Sequence, residues 1–243
     1  MITLASFSPA EVAEITGLST LMQRDWRRRG YLRSTDGHAR FDPFDVLEVW
    51  SMKELADRGV GPVHSKDVAE WVAIGAMYHA TTFREAYEGD HYRTFEWVPE
   101  KDRPKPVPDP RFEKWAEERG IELPPPSDIS WPAQSQFLSR RVLRRHNSSG
   151  VIPARYLVWW ADESHSFVES IDEAFDDEVS SSPKCAGPVM VRDLQAMGSL
   201  LIERAGRALV RVEYERDRTG SILSPYPEIE YGNFGGSITK VDE

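Results

Sequence analysis

The chain has 243 residues, a formal net charge of −10 at neutral pH and one cysteine, Cys185. That length supports one large domain or two modest ones, and a lone cysteine excludes an intramolecular disulfide and fits a reducing compartment. No apolar run approaches the ~20 residues a bilayer requires and Met1–Ala5 lacks a basic leader, so a cytoplasmic protein with no membrane partner is expected.

Ser8-Pro9-Ala10-Glu11 opens the first helix: serine caps free N–H groups, proline fits the first turn, and Glu11 stands where a capping-box partner belongs. Val12 and Ile15 give it a short apolar face, and Thr16-Gly17 ends it with a residue suited to a left-handed turn. Ser19 caps a second helix that runs to about Arg29 and stops at Gly30. Leu18, Met22 and Trp26 lie four apart and are expected to share its buried face, while Thr20, Arg24, Arg27 and Arg28 point elsewhere. Tyr31-Leu32-Arg33 and Ala39-Arg40-Phe41 flank Asp36-Gly37, a strong hairpin signal. Asp42-Pro43 then starts a helix with Val46, Leu47, Val49, Trp50 and Leu55 as its apolar positions, closed by Arg58-Gly59-Val60-Gly61-Pro62. A shorter helical candidate covers Ser65–Met77, with Val68, Trp71, Val72 and Ile74.

The order helix, turn, helix, two-stranded wing, helix resembles the N-terminal DNA-binding domain of MerR-type regulators over about residues 7–62. The residues that carry the resemblance are Glu11-Val12-Ala13, Thr16-Gly17-Leu18-Ser19, Arg24, Gly30-Tyr31-Leu32, Gly37 with Arg40-Phe41, and Asp42-Pro43-Phe44-Asp45-Val46. The resemblance implies a winged helix-turn-helix and a transcription regulator of bacterial or phage type. Two departures stand out. The family's aromatic pair after the arginine is Asp25-Trp26 here, which leaves Asp25 to face solvent or pair with a neighbouring arginine. The family's long dimerisation helix has no counterpart with a sustained heptad seam, so that mode of pairing does not carry over.

The residues make their own argument for nucleic acid. Between Ser19 and Arg40, six arginines (24, 27, 28, 29, 33 and 40) stand against Asp25 and Asp36, a local charge of +4 within an acidic chain. Guanidinium groups pair with phosphate and can bond two acceptors of a guanine edge, and a helix bearing them fits the major groove. Ser19, Thr20, Arg24, Arg27 and Arg28 are the candidates on the recognition helix; Arg33, His38 and Arg40 are those on the wing. The expected partner is double-stranded DNA. A homodimer is expected because one small winged helix contacts few bases.

Beyond about Trp97 the composition shifts. Pro99, Pro104, Pro106, Pro108 and Pro110 alternate with charges, a short helix is expected near Pro110–Arg119, and Pro124-Pro125-Pro126 interrupts again. The division is 1–80 for the winged helix-turn-helix domain, 81–126 for a Pro-rich linker with a short helix, and 127–243 for a small α+β regulatory or interaction region; the chain as a whole is α+β. In the last part Ser130 to His146 is helical, with Phe137, Leu138 and Val142 inward. Arg155–Ala161 and Ser166–Ile171 form a hairpin, Val191–Arg204 a helix, and Ala208–Glu215 a returning strand, which together make a small helix-covered sheet. The tail from Tyr231 to Glu243 is Gly-rich and expected to fray unless a partner orders it.

Arg140-Arg141 with Arg144-Arg145-His146 forms a second basic cluster, read as a solvated helix face or acidic-partner site in preference to a phosphate contact. Asp172-Glu173 and Asp176-Asp177-Glu178 lack the glycine turn of a calcium loop, and His64, His79, His91 and His165 have no partner at zinc spacing, so no metal or other cofactor is expected. Tyr156, Trp159 and Trp160 fit a small-molecule pocket, a strand core or a partner surface equally well, leaving a protein or small-molecule effector open for this region. No nucleophile elbow, phosphate-cradling loop or paired-His helix is present, and the chain is not expected to be an enzyme. The alternatives to a transcription regulator are a protein-interaction module built on the same fold, and an architectural or recombination-directionality factor that bends DNA.

Overall fold

The computed structural model describes residues 1–33, 39–94, 118, 120, 131–144, 146, 150–175 and 182–223. The Asp36-Gly37 turn, His38, the Pro-rich stretch with its expected helix apart from Glu118, Arg145, the acidic run 176–178 and the Gly-rich tail lie outside the described residues. Among the described residues the architecture is mixed α+β, with two small three-stranded sheets and a helical core. Among the described residues no helix is long and apolar enough to cross a membrane.

The first helices form as their local chemistry dictates. In α1, Pro9–Thr16, Ser8 Oγ accepts the Glu11 N–H and the Glu11 carboxylate accepts the Ser8 N–H at 2.7 Å, a complete capping box. Gly17 ends the helix at φ 76°, in the left-handed region where a Cβ is strained. Thr16 Oγ1 donates to Val12 O and accepts the Leu18 N–H, which ties the turn closed. Ser19 then caps α2, Thr20–Arg28, by accepting the Met22 N–H. Helix α3, Pro43–Ala56, opens on a second capping box formed by Asp42 and Asp45, and its expected apolar residues Val46, Leu47, Val49, Trp50 and Leu55 are all buried.

The helix that follows, α4, spans Pro62–Ala80. It is longer than the Ser65–Met77 segment legible from periodicity, because Pro62 occupies the first turn and the helix is apolar on several sides at once. It packs along α3 on one side and against the C-terminal region on another. That region supplies α5, Trp131–Leu143, and, further on, the one-turn α6, Ile171–Ala174, and α7, Leu194–Ala205. Two glycines set the α4–α7 approach: a Cβ on Gly198 would stand 2.4 Å from Ala76 O, and one on Gly75 2.5 Å from Leu194 Cδ1.

The sheets depart from expectation. Strand β3, Tyr156–Trp159, pairs antiparallel with β4, His165–Val168, as the expected hairpin. Its second neighbour is β5, Met190–Asp193, not the returning strand. The sequence pattern runs a helix from Val191, but Asp193 caps with its side chain the N–H groups of Gln195 and Ala196, so the helix starts at Leu194 and the preceding residues are free to extend. The returning strand, β6 at Val210–Val212, lies elsewhere, antiparallel to β1, Ile2–Leu4, and parallel to β2, Tyr87–Gly89. Val210 and Val212 are buried on one face while Arg211 points out, which gives β6 the amphipathic alternation both neighbours need.

One hydrophobic cluster runs from Ile2 through α1, α3 and α4 to Tyr214. Strand β3 divides its side chains by alternation: Leu157 and Trp159 join this cluster, while Val158 and the next residue, Trp160, face a small one with Ala174. The packing therefore crosses the sequence division at 1–80, 81–126 and 127–243. Polar contacts cross it too. At the end of α7, Arg204 donates to Ile15 O at 2.6 Å, an orphan carbonyl of the last turn of α1, and lies over Trp50. Arg207 donates to Ser6 O and pairs with Glu11 at 3.0 Å.

Candidate nucleic-acid interface

Helix α2 is held against α1 by one buried polar side chain. Gln23 Nε2 donates to Pro9 O at 2.9 Å and to Leu18 O at 2.8 Å, and with Trp26 it forms the inward face. Met22, expected there, is 44 % exposed. Leu18 is buried but precedes the helix, so a four-residue spacing counted from it does not follow helical geometry. Counting steps of about 100° from Gln23 and Trp26 puts Leu21, Arg24, Asp25 and Arg28 on the outer side.

The candidate residues separate on this frame. Ser19 and Thr20 are exposed at the N-terminal end of α2. Arg24 is exposed and makes no ion pair among the described residues. Arg28 is exposed and pairs with Asp25 at 2.6 Å; Arg29 reaches the same carboxylate at 2.8 Å. Asp25 thus takes the pairing role of the two open to it. Arg27 does not join them: it is half-buried, with its guanidinium 5.4 Å from the centre of the Phe41 ring. The structure brings together Ser19, Thr20, Arg24 and Arg28 and turns Arg27 inward.

The expected two-stranded wing is not formed by its described residues. Tyr31–Arg33 is bent, and Phe41 pairs instead with Phe7 ahead of α1 through backbone bonds of 2.8 and 3.0 Å. Phe7 and Phe41 are both buried, so core formation draws the second segment toward α1. Arg33 and Arg40 are exposed, and His38 lies outside the described residues. Arg40 is near enough to Glu11 to help hold its carboxyl below the usual range, behind the hydrogen bonds from Ser8 and alongside Arg207.

An acidic patch lies next to Arg33. Asp42, Asp45 and Glu48 recur every three residues along α3, which places them on one side of the helix. Burial, reinforced by Asp45, Glu70 and Asp42, pushes the Glu48 carboxyl up to about 7, against the opposing charge of Arg33. Burial and Asp42 also raise Asp45. Burial works against ionised Asp42 as well, but His146 and the N–H groups of the α3 first turn outweigh it and hold its carboxyl low. His146 stacks on Phe44 with ring centres 3.8 Å apart and places Nε2 3.3 Å from Asp42. One member of the second basic cluster therefore braces the start of α3. Arg140 and Arg144 remain exposed.

A separate open cleft of about 780 Å³ lies between the end of α3 and the β3–β5 sheet, lined in part by Leu55, Arg58, Val60, Trp159, Trp160 and Met190. Tyr156 is not among its lining residues; it lies under the Arg155 guanidinium. Among the described residues no three His, Cys, Asp or Glu side chains stand together as a metal site. Comparison with family models, curated proteins and solved structures finds no match to the chain.

Proposed function

We propose that the protein is a sequence-specific DNA-binding transcription regulator of the cytoplasm that lays α2 in the major groove and flanks it with residues 33–41. The observation that carries this reading is the outer face of α2, where Arg24 and Arg28 project beside Thr20 from a helix held by a tight glycine turn and a buried glutamine. Arginines on such a face provide both phosphate contacts and bidentate donors for guanine. The acidic remainder of the chain disfavours other approaches to the duplex, so the basic face also sets orientation. A homodimer would place two such faces on paired half-sites, and the cleft beside Trp159 and Trp160 is the place for an effector.

The test is selection of duplexes from a randomised pool at near-physiological salt, followed by affinity measurement on the enriched sequence. Enrichment of a motif, inverted if the protein pairs, is the expected result. Arg24→Ala with Arg28→Ala, both exposed, should leave the fold intact and weaken binding to the selected site by tenfold or more, at about 1–3 kcal/mol for each bidentate base contact. Undiminished binding by the folded double variant would remove α2 from the interface. No retention of any duplex by the folded protein would refute the DNA reading as a whole.

A further inference from the structure

Leu21 is 73 % exposed, the most exposed large apolar side chain among the described residues. Folding does not call for it, since Gln23 and Trp26 already fill the inward face of α2. Its position is specific: Arg24 follows at three residues and Arg28 at seven, so the leucine lies in line with both arginines on the outer strip. Asp25 shares that strip but is occupied by Arg28 and Arg29. The strip therefore presents an apolar end, an arginine with no ion pair among the described residues, and a paired arginine.

A surface that mixes one apolar group with cations matches one chemistry on a duplex. The phosphates complement the cations, guanine N7 and O6 accept from a guanidinium, and the thymine C5-methyl is the apolar group that base edges display in the major groove. We propose, resting on the reading of α2 as the groove-reading helix, that Leu21 is a specificity-determining residue that packs on the methyl group of a thymine. Arg24, about 4.5 Å further along the helix axis, takes a guanine within about two base steps of that thymine. Met22 lies on the flank of the strip and does not share this role.

The experiment uses the full chain and the duplex recovered by selection, with each thymine replaced singly by deoxyuridine, which removes only the methyl group. At one or two positions the replacement should weaken binding about fourfold, the size of one buried methyl contact. Leu21→Ala should bind the thymine and deoxyuridine duplexes equally, keep its low-salt affinity for unrelated duplex, and unfold at the same denaturant concentration. Met22→Ala should discriminate as the parent does. Equal binding of both duplexes by the parent at every position would overturn the proposal while leaving the DNA reading standing. So would discrimination that survives Leu21→Ala or disappears with Met22→Ala. Absence of duplex binding by the folded parent would overturn both.

Discussion

Asp25 sits between two guanidinium groups, Arg28 at 2.6 Å and Arg29 at 2.8 Å. Exposed pairs of this kind contribute only ~0–1 kcal/mol to stability, so their larger effect is on what the arginines are free to bind. Asp25→Asn should leave the unfolding midpoint nearly unchanged and tighten duplex binding. The plot of log affinity against log salt should steepen by about 0.9 for each guanidinium that moves onto a phosphate. An unchanged slope would show that freeing Asp25's partners brings neither arginine onto a further phosphate. Glu48 makes the opposite kind of prediction, one about stability. Its carboxyl is raised from 4.5 to about 7, so between those values the folded state holds a proton that the unfolded state has released. Stability from this group is complete at low pH and is lost as pH rises through that window, by at most about 3 kcal/mol. Glu48→Gln should therefore raise the urea midpoint at pH 8 and change it little near pH 4.5; equal effects at both would show that Glu48 titrates normally. Residue by residue, the helix caps were legible because Ser8, Ser19 and Asp42 act on N–H groups within three residues of themselves. Gln23 was not legible, because its acceptors are set by how α1 and α2 meet.

At the scale of elements, α4 is where the apolar pattern under-reports. Val68, Val72, Ala73, Ile74, Ala76 and Met77 are all buried, since the helix faces neighbours on several sides and its polar stripe is narrow. The helix–helix contact depends on Gly198, where an added Cβ would meet the α4 backbone at Ala76 O and Ala80 N, at 2.4 and 2.8 Å. A flexible side chain can turn away from such a clash, whereas a helix backbone has to shift. Gly198→Ala should cost at least about 1–3 kcal/mol, read as a lower denaturant midpoint with an unchanged slope. A neutral effect would mean that α7 can move away from α4 at no cost. Strand assignment fails for a related reason. Ala208–Glu215 alternates as a strand should, but alternation identifies a half-buried strand and not its neighbour, so β6 joins the sheet of β1 and β2.

For the whole molecule, the central fact is that the N-terminal helices and the C-terminal region share a core. Strand β6 joins β1 to β2, α7 covers α4, and Arg204 and Arg207 hold the backbone around α1. The face that carries Arg24 and Leu21 is thus braced by residues distant in sequence. A truncated chain of residues 1–94 would uncover Ile2, Met77 and Tyr87, all buried in the full protein. It should lose cooperative urea unfolding and near-ultraviolet dichroism. A transition at the full chain's midpoint would instead show that the N-terminal part folds alone, as its sequence division implies. The cleft beside Trp159 is tied to the same bracing, since its wall includes Leu55 and Val60 at the α3–α4 corner.

What the sequence determined by itself is the local chemistry: the capped helices α1, α2 and α3, the glycine turn between the first two, the β3–β4 hairpin and the clustering of arginines around α2. Each depends on interactions between residues close together in the chain, which residue type and spacing specify directly. Only the tertiary structure decided which of those arginines face outward, that Gln23 and not Met22 is buried, that Phe41 pairs with Phe7, and that β6 joins the sheet of β1. Those outcomes follow from burying one continuous apolar core among segments that can lie more than two hundred residues apart, and no short window of sequence holds both partners.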